Sequence, residues 1–389
     1  MKLKTIKQVK NLKNKKVLLR VGFDTPLDEK GMIIDDFRIK QGLETIKYLL
    51  AKGAGIILIN KMGRPKGKVV AKLSNKAVAK RLSQLLKVKV IQLPKVVGFK
   101  NSVIIKNLKK GQIVMLENVR FHHGEQSNDK NFAKQLAGLG DIYVNDAFSV
   151  CHREAASITA ITDYLPAYAG LLLAKEVEIL SQVLKSKVKP KIAIIGGAKL
   201  ETKVKVIKNL LKKTDQVLLG GAVANNFIKA RGYNIGKSLY DKDYLSQAKK
   251  MLGQKLIIPQ DVVTTTSIST KISIQVKQLD KINKNDYILD IGPKTINNYF
   301  KFLKKARIVI WNGPLGYFEI KEFKKASEKI SRFLAQSSAK TIIGGGETIQ
   351  LVNDLALSKK FTFISTGGGA MLEFLEGKVL PGLKPLIRN

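Results

Sequence analysis

The feature that most restricts the fold of this chain is a repeated pattern: a short apolar run, then a loop, then helical spacing. The apolar runs lack polar alternation, which is typical of strands buried on both faces of a parallel sheet. Strands that alternate with helices indicate an α/β protein. At 389 residues the chain is too long for one ordinary core, so the sequence predicts two domains.

Both halves of the chain carry this pattern. In the first half the predicted strands are 16–21, 55–60, 88–91, 112–116 and 141–144, and the predicted helices are 39–52, 75–86 and 131–137. Residues 168–184 have helical spacing without a polar break, and we interpret them as a helix that connects the two domains. In the second half the predicted strands are 191–195, 216–219, 256–258, 287–290, 307–311, 341–343 and 361–364.

Most strands of the second half end in a loop that contains glycine, and six such loops indicate a nucleotide-binding rim. In the run KIAIIGGAKLETK at 191–203, Gly196 and Gly197 allow a tight turn and close approach of a ligand. A helix starting here would place Lys199 and Lys203 on one face near its N-terminus, where amides and ammonium groups favour phosphate. No P-loop, GxGxxG or protein-kinase signature is present.

The formal net charge of +40 favours anionic ligands, nucleic acid among them. However, the basic residues are spread along the whole chain as 60 Lys and only 10 Arg, and no helix-turn-helix, zinc finger or aromatic RNA-binding strand stands out. We therefore expect no specific nucleic-acid partner. No apolar run reaches the length of a membrane span, no signal peptide is visible, and Cys151 is the single cysteine, so we expect a cytoplasmic protein without a membrane partner.

The arginines are informative because lysine is the default cation of this chain. A planar guanidinium binds carboxylate or phosphate through two parallel hydrogen bonds, which an ammonium group cannot do. Five of the ten arginines lie near predicted strand ends, or in the loops after them, within the first 153 residues: Arg20, Arg38, Arg64, Arg120 and Arg153. We expect several of them to converge on one anion.

Taken in order, the loops resemble those of the phosphoglycerate kinase family over essentially the full length. The first half carries RVGFDTP at 20–26, GRPKG at 63–67, LENVRF at 116–121 and YVNDAF at 143–148. The second half carries IGGAK at 195–199, WNGPLGYFE at 311–319, IIGGGET at 342–348 and ISTGGGAMLEFLEGKVLPG at 364–382. The resemblance implies two Rossmann-like three-layer α/β/α domains with parallel sheets, joined by a hinge helix.

The resemblance also implies a division of labour along the chain. Residues 1–168 would bind 3-phosphoglycerate or 1,3-bisphosphoglycerate, 169–186 would form the hinge helix, 187–375 would bind ADP or ATP with Mg²⁺, and 376–389 would return to the first domain. The implied activity is the glycolytic one, reversible phosphoryl transfer between 1,3-bisphosphoglycerate and ADP upon domain closure. Family members are usually monomers, so we expect a monomer.

On the glycerate side, the resemblance implies that Arg64, Arg120 and Arg153 hold the substrate phosphate. Arg38 would reach the carboxyl end and offset charge on the transferring phosphoryl group. The implied substrate-binding set is Gly22, Phe23, Asp24, Arg38, Lys61, Met62, Gly63, Arg64, Arg120 and Arg153.

On the nucleotide side, the resemblance implies that Lys203 and the amides after Gly197 meet the phosphates, while Lys199 orients the transferring group. Together with Arg38 these two lysines would be the catalytic residues. Glu319 would accept hydrogen bonds from ribose hydroxyls, and Glu347 would lie near the metal. The implied nucleotide-binding set is Gly197, Ala198, Lys203, Gly292, Asn312, Glu319, Gly345, Gly346, Glu347 and Thr348.

Several positions depart from the family pattern, mainly on the glycerate side. The family has Asp, Asn and His where this chain has Gly22, Asp24 and Lys61; Ser149-Val150-Cys151 replaces Gly-Thr-Ala, Glu154-Ala155 replaces Ala-His, Ala222 ends a Gly triplet, and Glu347 replaces Asp. Losing one buried polar partner costs about 1–3 kcal/mol. Two alternatives stay open. These departures leave a diverged homologue that binds nucleotide but has weakened or altered glycerate chemistry, and the net charge of +40 leaves a nonspecific nucleic-acid-binding protein.

Overall fold

The computed structural model describes residues 1–268 and 273–388. The chain forms two compact units: unit 1 comprises Met1–Ser181 together with the described residues from Val379 onward, and unit 2 comprises Gln182–Lys378. The division falls inside one long helix, Leu171–Lys185. None of the helices in the described part of the chain is both long and apolar enough to cross a membrane.

Unit 1 is built on a six-stranded parallel sheet. Its strands are β1 (Lys16–Arg20), β2 (Gly55–Ile59), β3 (Val90–Gln92), β4 (Ile113–Met115), β5 (Ile142–Asn145) and β6 (Ala167–Ala169), in the order β3-β4-β2-β1-β5-β6. Its helices are α1 (Phe37–Gln41), α2 (Leu43–Ala51), α3 (Lys76–Leu86), α4 (Phe99–Lys106) and α5 (Lys130–Ala137), followed by the first part of α6 (Leu171–Lys185), which continues into unit 2.

The sheet of unit 1 is buried on both faces because its strands are apolar at successive positions. In β1, Leu19 belongs to a core with α2 and α3. Its neighbour Leu18 points the other way, into a core with Phe132 and Leu136 of α5. Side chains alternate between the faces of a strand, so a run without polar alternation fills both cores. The predicted parallel α/β architecture is confirmed.

Unit 2 contains a second six-stranded parallel sheet. Its strands are β7 (Lys191–Ile195), β8 (Gln216–Leu219), β9 (Leu256–Ile257), β13 (Ile308–Asn312), β14 (Lys340–Gly344) and β15 (Phe363–Ile364), in the order β15-β14-β13-β7-β8-β9. A separate sheet has the order β11-β10-β12 and is formed by β10 (Asp261–Thr265), β11 (Gln275–Gln278) and β12 (Tyr287–Ile291). The helices are α7 (Val204–Lys213), α8 (Gly221–Ala230), α9 (Leu245–Met251), α10 (Pro293–Lys305), α11 (Lys325–Ala335), α12 (Gly346–Asp354) and α13 (Gly369–Leu375).

Three sequence predictions need correction. The strand predicted at 287–290 is β12, which pairs with β10 in an antiparallel sheet rather than continuing the parallel pattern. The connecting helix begins at Leu171, because Tyr168 pairs with Val144 as part of β6. The helix predicted at 39–52 is divided at Gly42, where a β-carbon would lie 2.5 Å from the ring of Phe23.

The two ends of the described chain lie side by side in unit 1. Leu3 and Ile387 form an antiparallel bridge, and the Lys4 amide donates to the Leu386 carbonyl over 2.7 Å. The Gly382 amide donates to the Cys151 carbonyl over 2.9 Å. The C-terminal segment is therefore an integral part of unit 1.

Candidate functional site

Two buried asparagines fix the loops at the carboxyl ends of β1 and β2. Asn60 accepts from the Phe23 amide over 3.0 Å, and Asn118 accepts from the Met62 amide over 3.1 Å and donates to the Met62 carbonyl over 2.8 Å. The side chains of Phe23 and Met62 are each 1% exposed and belong to the core. The side chains of these two predicted substrate-binding residues are therefore not available to a ligand, and the Met62 amide and carbonyl are already engaged by Asn118.

Asp24 connects three of the other predicted residues. Its carboxylate forms an ion pair with Lys61 and accepts from the Gly63 amide over 2.8 Å. Its carbonyl accepts from the Arg38 guanidinium over 2.8 Å. Because the Asp24 carboxylate is matched by a lysine, the two departures from the family pattern at these positions compensate each other in charge.

Positive charge converges around Lys61. The pKa of Lys61 is lowered to about 6, mainly by burial and further by the charges of four arginines: Arg120, Arg20, Arg153 and Arg64. Burial also lowers the pKa of Arg120, to about 10, with Arg153 and Arg20 adding to the effect. Arg120 donates to the Gly63 carbonyl over 2.7 Å. A cluster of this kind has a strong electrostatic preference for an anion.

Arg20 is held by a buried acid that the sequence interpretation missed. Its Nε donates to Ser157 Oγ over 2.9 Å, and Ser157 donates to Glu125 from its amide over 2.9 Å and from its hydroxyl over 2.6 Å. Burial raises the pKa of Glu125, while Arg20 and Ser157 oppose that shift. No local motif marks Glu125, and its immediate sequence offers no other signal of this role.

Unit 1 contains a cavity of about 300 Å³ that is lined by three arginines and two acids: Arg20, Arg120, Arg153, Glu125 and Glu154. The rest of its lining is formed by Gln126, Val150, Ala155 and Ile158. Arg153 Nε lies 3.3 Å from His152 Nε2. Among the described residues, Glu154 forms no ion pair with Arg153, so that guanidinium is not neutralised by its neighbour. The cavity suits a small anion.

Unit 2 contains a cavity of about 330 Å³ with mostly apolar walls. Apolar side chains of Ala222, Ile228, Leu239, Val262, Leu289 and Leu315 contribute to its lining. Four predicted nucleotide-binding residues also line it: Gly197, Ala198, Glu319 and Glu347. Apolar walls with a few polar groups at the rim are the usual form of a site for a planar organic ligand such as a base.

Lys203 lies beside the β7 loop and is buried. Its ammonium group donates to Asn312 Oδ1, and burial lowers its pKa to about 8, against an opposing effect of Glu347. Helix α7 begins only at Val204, so the prediction that Lys199 and Lys203 share a helix face is wrong. The turn after Gly197, at φ +99°, continues through Lys199 and leaves that side chain exposed.

The start of α12 completes this polar end of unit 2. Gly345 precedes the helix with φ +97°, and a β-carbon on Gly346 would meet no atom within 4 Å. Thr348 Oγ1 accepts from the Gly313 amide over 3.0 Å. Asn312 Nδ2 is buried and has no hydrogen-bond partner among the described residues. An open helix N-terminus with a free donor nearby is suited to phosphate oxygens.

Gly292, predicted to lie along the nucleoside, also has a structural reason to be glycine. It precedes α10, and a β-carbon there would overlap the carboxylate of Asp261. That carboxylate accepts from the amides of Lys294 and Thr295 over 3.0 and 2.7 Å. Gly292 is not among the residues that line the cavity of unit 2. The glycine is explained by the approach of the capping Asp261.

Glu347 is the candidate magnesium ligand. Burial raises the pKa of its carboxyl group, Glu319 raises it further and Lys203 opposes the shift. In the part of the chain that the structure describes, no three His, Cys, Asp or Glu side chains are grouped so as to hold a metal ion. Mg²⁺ is commonly held by one or two carboxylates plus substrate phosphates. Glu347, with Glu319 raising the local negative charge, fits that arrangement.

Comparison with known proteins gives consistent matches. The family model described as phosphoglycerate kinase matches residues 6–378. The phosphoglycerate kinase of Coprothermobacter proteolyticus is 44% identical over 393 residues, covering 100% of this chain and 99% of the relative. That of Dictyoglomus turgidum is 45% identical over 383 residues, covering 97% and 96%. The solved phosphoglycerate kinases of Coxiella burnetii and Pyrococcus horikoshii OT3 are 37% and 33% identical, with TM-scores of 0.85 and 0.86, each covering 99% of this chain and 98% of the other.

Proposed function

The chain belongs to the phosphoglycerate kinase family, and we propose how its residues carry out the reaction of that family. The reaction is phosphoryl transfer between 1,3-bisphosphoglycerate and ADP, giving 3-phosphoglycerate and ATP, with a carboxyl group as acceptor in the reverse direction. The observation that carries the assignment of residues is the convergence of Lys61 with four arginines in unit 1.

Unit 1 is the proposed glycerate-binding domain. Arg64, Arg120 and Arg153 hold the phosphate of the glycerate, because their charges surround one buried lysine and Arg120 and Arg153 line the cavity of unit 1. Guanidinium groups bind phosphate through paired hydrogen bonds. Arg38, fixed by its bond to the Asp24 carbonyl, reaches the carboxyl end of the substrate and offsets charge on the transferring group.

Unit 2 is the proposed nucleotide-binding domain. The apolar cavity takes the base and Glu319 the ribose. Lys203, Asn312 and the amides at the start of α12 contact the phosphates. Glu347 helps to hold Mg²⁺, which when bound supplies charge neutralisation at the nucleotide phosphates. Lys199, exposed beside Gly197, orients the transferring phosphoryl group.

Phosphoryl transfer requires positioning and charge neutralisation more than covalent help from the protein. The attacking oxygen is already anionic, so no residue needs to act as a base. Arginines on one unit and lysines on the other supply the positive charge, and α6 serves as the hinge that lets them meet. Closure excludes water, which strengthens each of these electrostatic interactions.

The remaining expectations stand as parts of the same proposal. One chain supplies both sets of residues, which supports a monomer. The single cysteine, Cys151, is buried and free, which suits a reducing compartment such as the cytoplasm. Neither the diverged homologue nor the nucleic-acid-binding protein is favoured by any of the relatives described above.

The test is ATP-dependent phosphorylation of 3-phosphoglycerate, coupled to a dehydrogenase, with substrate and Mg²⁺ titrated separately. Arg38→Ala is compared with Arg332→Ala, an exposed arginine on α11. We expect turnover in the wild type, loss of at least about a hundredfold in Arg38→Ala, and no change in Arg332→Ala. Nucleotide binding without turnover in the wild type would instead support the diverged homologue.

A further inference from the structure

We infer that Asp241 is a positioning residue for the loop after β7, residues 196–203, and that it fixes Lys199 for phosphoryl transfer. The inference rests on the proposed function of Lys199 and assigns a role to a residue that is not among those lining the cavity of unit 2. Asp241 follows α8 in the chain and reaches the loop with its carboxylate. It acts on the reaction through the loop rather than by contact with a substrate.

The loop is first fixed at Gly197. The Gly197 amide donates to the Pro314 carbonyl over 2.8 Å, and the Gly197 carbonyl accepts from the Val223 amide over 3.1 Å. Pro314 lies in the loop after β13 and Val223 lies at the start of α8, so both partners belong to neighbouring elements. This end of the loop is therefore held independently of Asp241.

Asp241 fixes the loop again three residues later. One oxygen of its carboxylate accepts from the amides of Leu200 and Glu201, the latter over 3.2 Å. Between the two fixed points lie only Ala198 and Lys199. Among the described residues, the amides of these two have no hydrogen-bond partner, and the Lys199 carbonyl is bonded only within the loop. The position of Lys199 therefore depends on the anchors that flank it.

Two consecutive asparagines of α8 hold Asp241 in place. Asn225 Nδ2 donates to the Leu239 carbonyl over 3.0 Å, and Asn226 Oδ1 accepts from the Asp241 amide over 2.8 Å. Both asparagines are buried. The segment 239–241 is thus held at both of its ends by one helix, and supporting bonds of this kind give the carboxylate a fixed direction towards the loop.

A carboxylate suits this position because the two amides that it accepts from begin a turn. The Leu200 carbonyl accepts from the amides of Lys203 and Val204, each over 2.8 Å, and α7 begins at Val204. Amides at the start of a helix lack partners within the helix and favour an acidic side chain nearby. Asp241 therefore sets where this turn begins, directly after Lys199.

The two lysines of the loop differ in their dependence on Asp241. The ammonium group of Lys203 donates to Asn312 Oδ1, so an anchor outside the loop holds it. The side chain of Lys199 is exposed. Loss of the Asp241 carboxylate should therefore displace Lys199 while Lys203 keeps its position. Because Lys199 acts on the transferring group and Lys203 on the bound nucleotide, we expect a fall in kcat with little change in the KM for ATP.

The test measures kcat and the KM for ATP, at saturating 3-phosphoglycerate and Mg²⁺, in the wild type, Asp241→Ala and Asp241→Asn. We expect Asp241→Ala to lower kcat about ten- to a hundredfold, because small displacements of a positioned group have effects of that order. The KM for ATP should change by less than about threefold. Asp241→Asn keeps an acceptor oxygen, and Asn and Asp serve equally well at helix starts, so its kcat should stay within about threefold of the wild type.

A double variant separates positioning from general damage. In a Lys199→Ala background the ammonium group that Asp241 positions is already gone, so adding Asp241→Ala should lower kcat by no more than about twofold. Three outcomes would overturn the inference: an unchanged kcat in Asp241→Ala, effects of the two substitutions that multiply, or a rise in the KM for ATP as large as the fall in kcat.

A second measurement does not depend on the proposed reaction. Amide hydrogen exchange without ligands reports whether the Leu200 and Glu201 amides are bonded. In Asp241→Ala these amides should exchange at least about tenfold faster than in the wild type, whereas Asp241→Asn should leave them protected. The amide of Ile194, within β7, should be unchanged in both variants. Unchanged exchange at Leu200 and Glu201 would refute the inference, whereas absent turnover in the wild type together with the expected exchange would refute only the proposed function.

Discussion

Gly22 lies directly against Ser149: a β-carbon built on residue 22 would be 2.9 Å from Ser149 Oγ. Real β-carbons do not tolerate contacts that short, so a side chain at position 22 would require the serine hydroxyl, which occupies that space, to move away. From the sequence alone these were two separate departures from the family pattern. In the structure the two departures are linked, because the space left by the missing side chain at position 22 holds the hydroxyl group gained at position 149.

Because the two residues share this space, Gly22→Ala should change the free energy of unfolding in opposite directions with and without the side chain of Ser149. In the wild type the added methyl group should lower the free energy of unfolding by about 1 kcal/mol, because it overpacks the contact. In a Ser149→Gly background the same change should raise it by about 0.5 kcal/mol, through reduced entropy of the unfolded chain. Chemical denaturation of the four proteins measures this. Equal effects in both backgrounds would show that the contact with Ser149 does not matter.

Glu125→Gln should be strongly destabilising. Glutamine preserves the shape but leaves the guanidinium of Arg20 buried without a counter-ion, which costs about 3–5 kcal/mol. Glu154→Gln is the matched control, because Glu154 lines the same cavity yet is exposed. Denaturation in urea should show a lower free energy of unfolding for Glu125→Gln than for Glu154→Gln. If Glu125→Gln behaved like Glu154→Gln, the charge of Glu125 would have no structural role.

Gly196→Ala should damage the proposed nucleotide-binding end of unit 2. A β-carbon there would overlap the Pro314 carbonyl, where the loops after β7 and β13 meet. We expect a loss of about 1–3 kcal/mol in stability, together with weaker ADP binding. Trp311, the only tryptophan, donates from its indole to the Gly313 carbonyl over 2.8 Å, so its fluorescence can follow the titration. Gly253→Ala has open space and should change neither quantity.

Asp146 should make stability depend on pH. Burial raises its pKa to about 6, whereas an aspartate in an unfolded chain titrates near 3.9. Between about pH 4 and 6 the folded form keeps a proton that the unfolded form has lost, so the free energy of unfolding falls as the pH rises and levels off above pH 6. Asp146→Asn should lack this fall. The difference in the free energy of unfolding between the variant and the wild type should therefore change by about 3 kcal/mol between about pH 4 and 6.

The control for this experiment is Asp163→Asn, because Asp163 is exposed. Its stability curve should run parallel to that of the wild type between pH 4 and 7. Parallel curves for Asp146→Asn as well would mean that Asp146 is already ionised at low pH in the folded protein.

The sequence alone was sufficient to predict the parallel sheets, because the apolar runs that mark their strands are local features. Leu18 and Leu19 are adjacent and both apolar, which is typical of a strand whose two faces are covered. Strand β11 was missed because Gln275–Gln278 is mostly exposed and has no apolar run to mark it. The pairing of such a strand depends on a distant partner, which a single stretch of sequence does not contain.

The site was predictable to a similar extent. Glycine loops and sparse arginines are visible in the sequence, whereas Glu125 acquires its role from Ser157 and Arg20, which are far from it along the chain. The ion pair between Asp24 and Lys61 was hidden for the same reason, since 37 positions separate them. Such partnerships arise only when the fold brings separate strand ends together.

The pairing of Leu3 with Ile387 has a consequence for how the chain is made. Unit 2 is continuous in sequence, whereas unit 1 requires its last segment, from Val379 onward, to be complete. During synthesis the ribosome releases that segment after all of unit 2 has emerged. The half of the molecule that is translated first is therefore the half that is finished last.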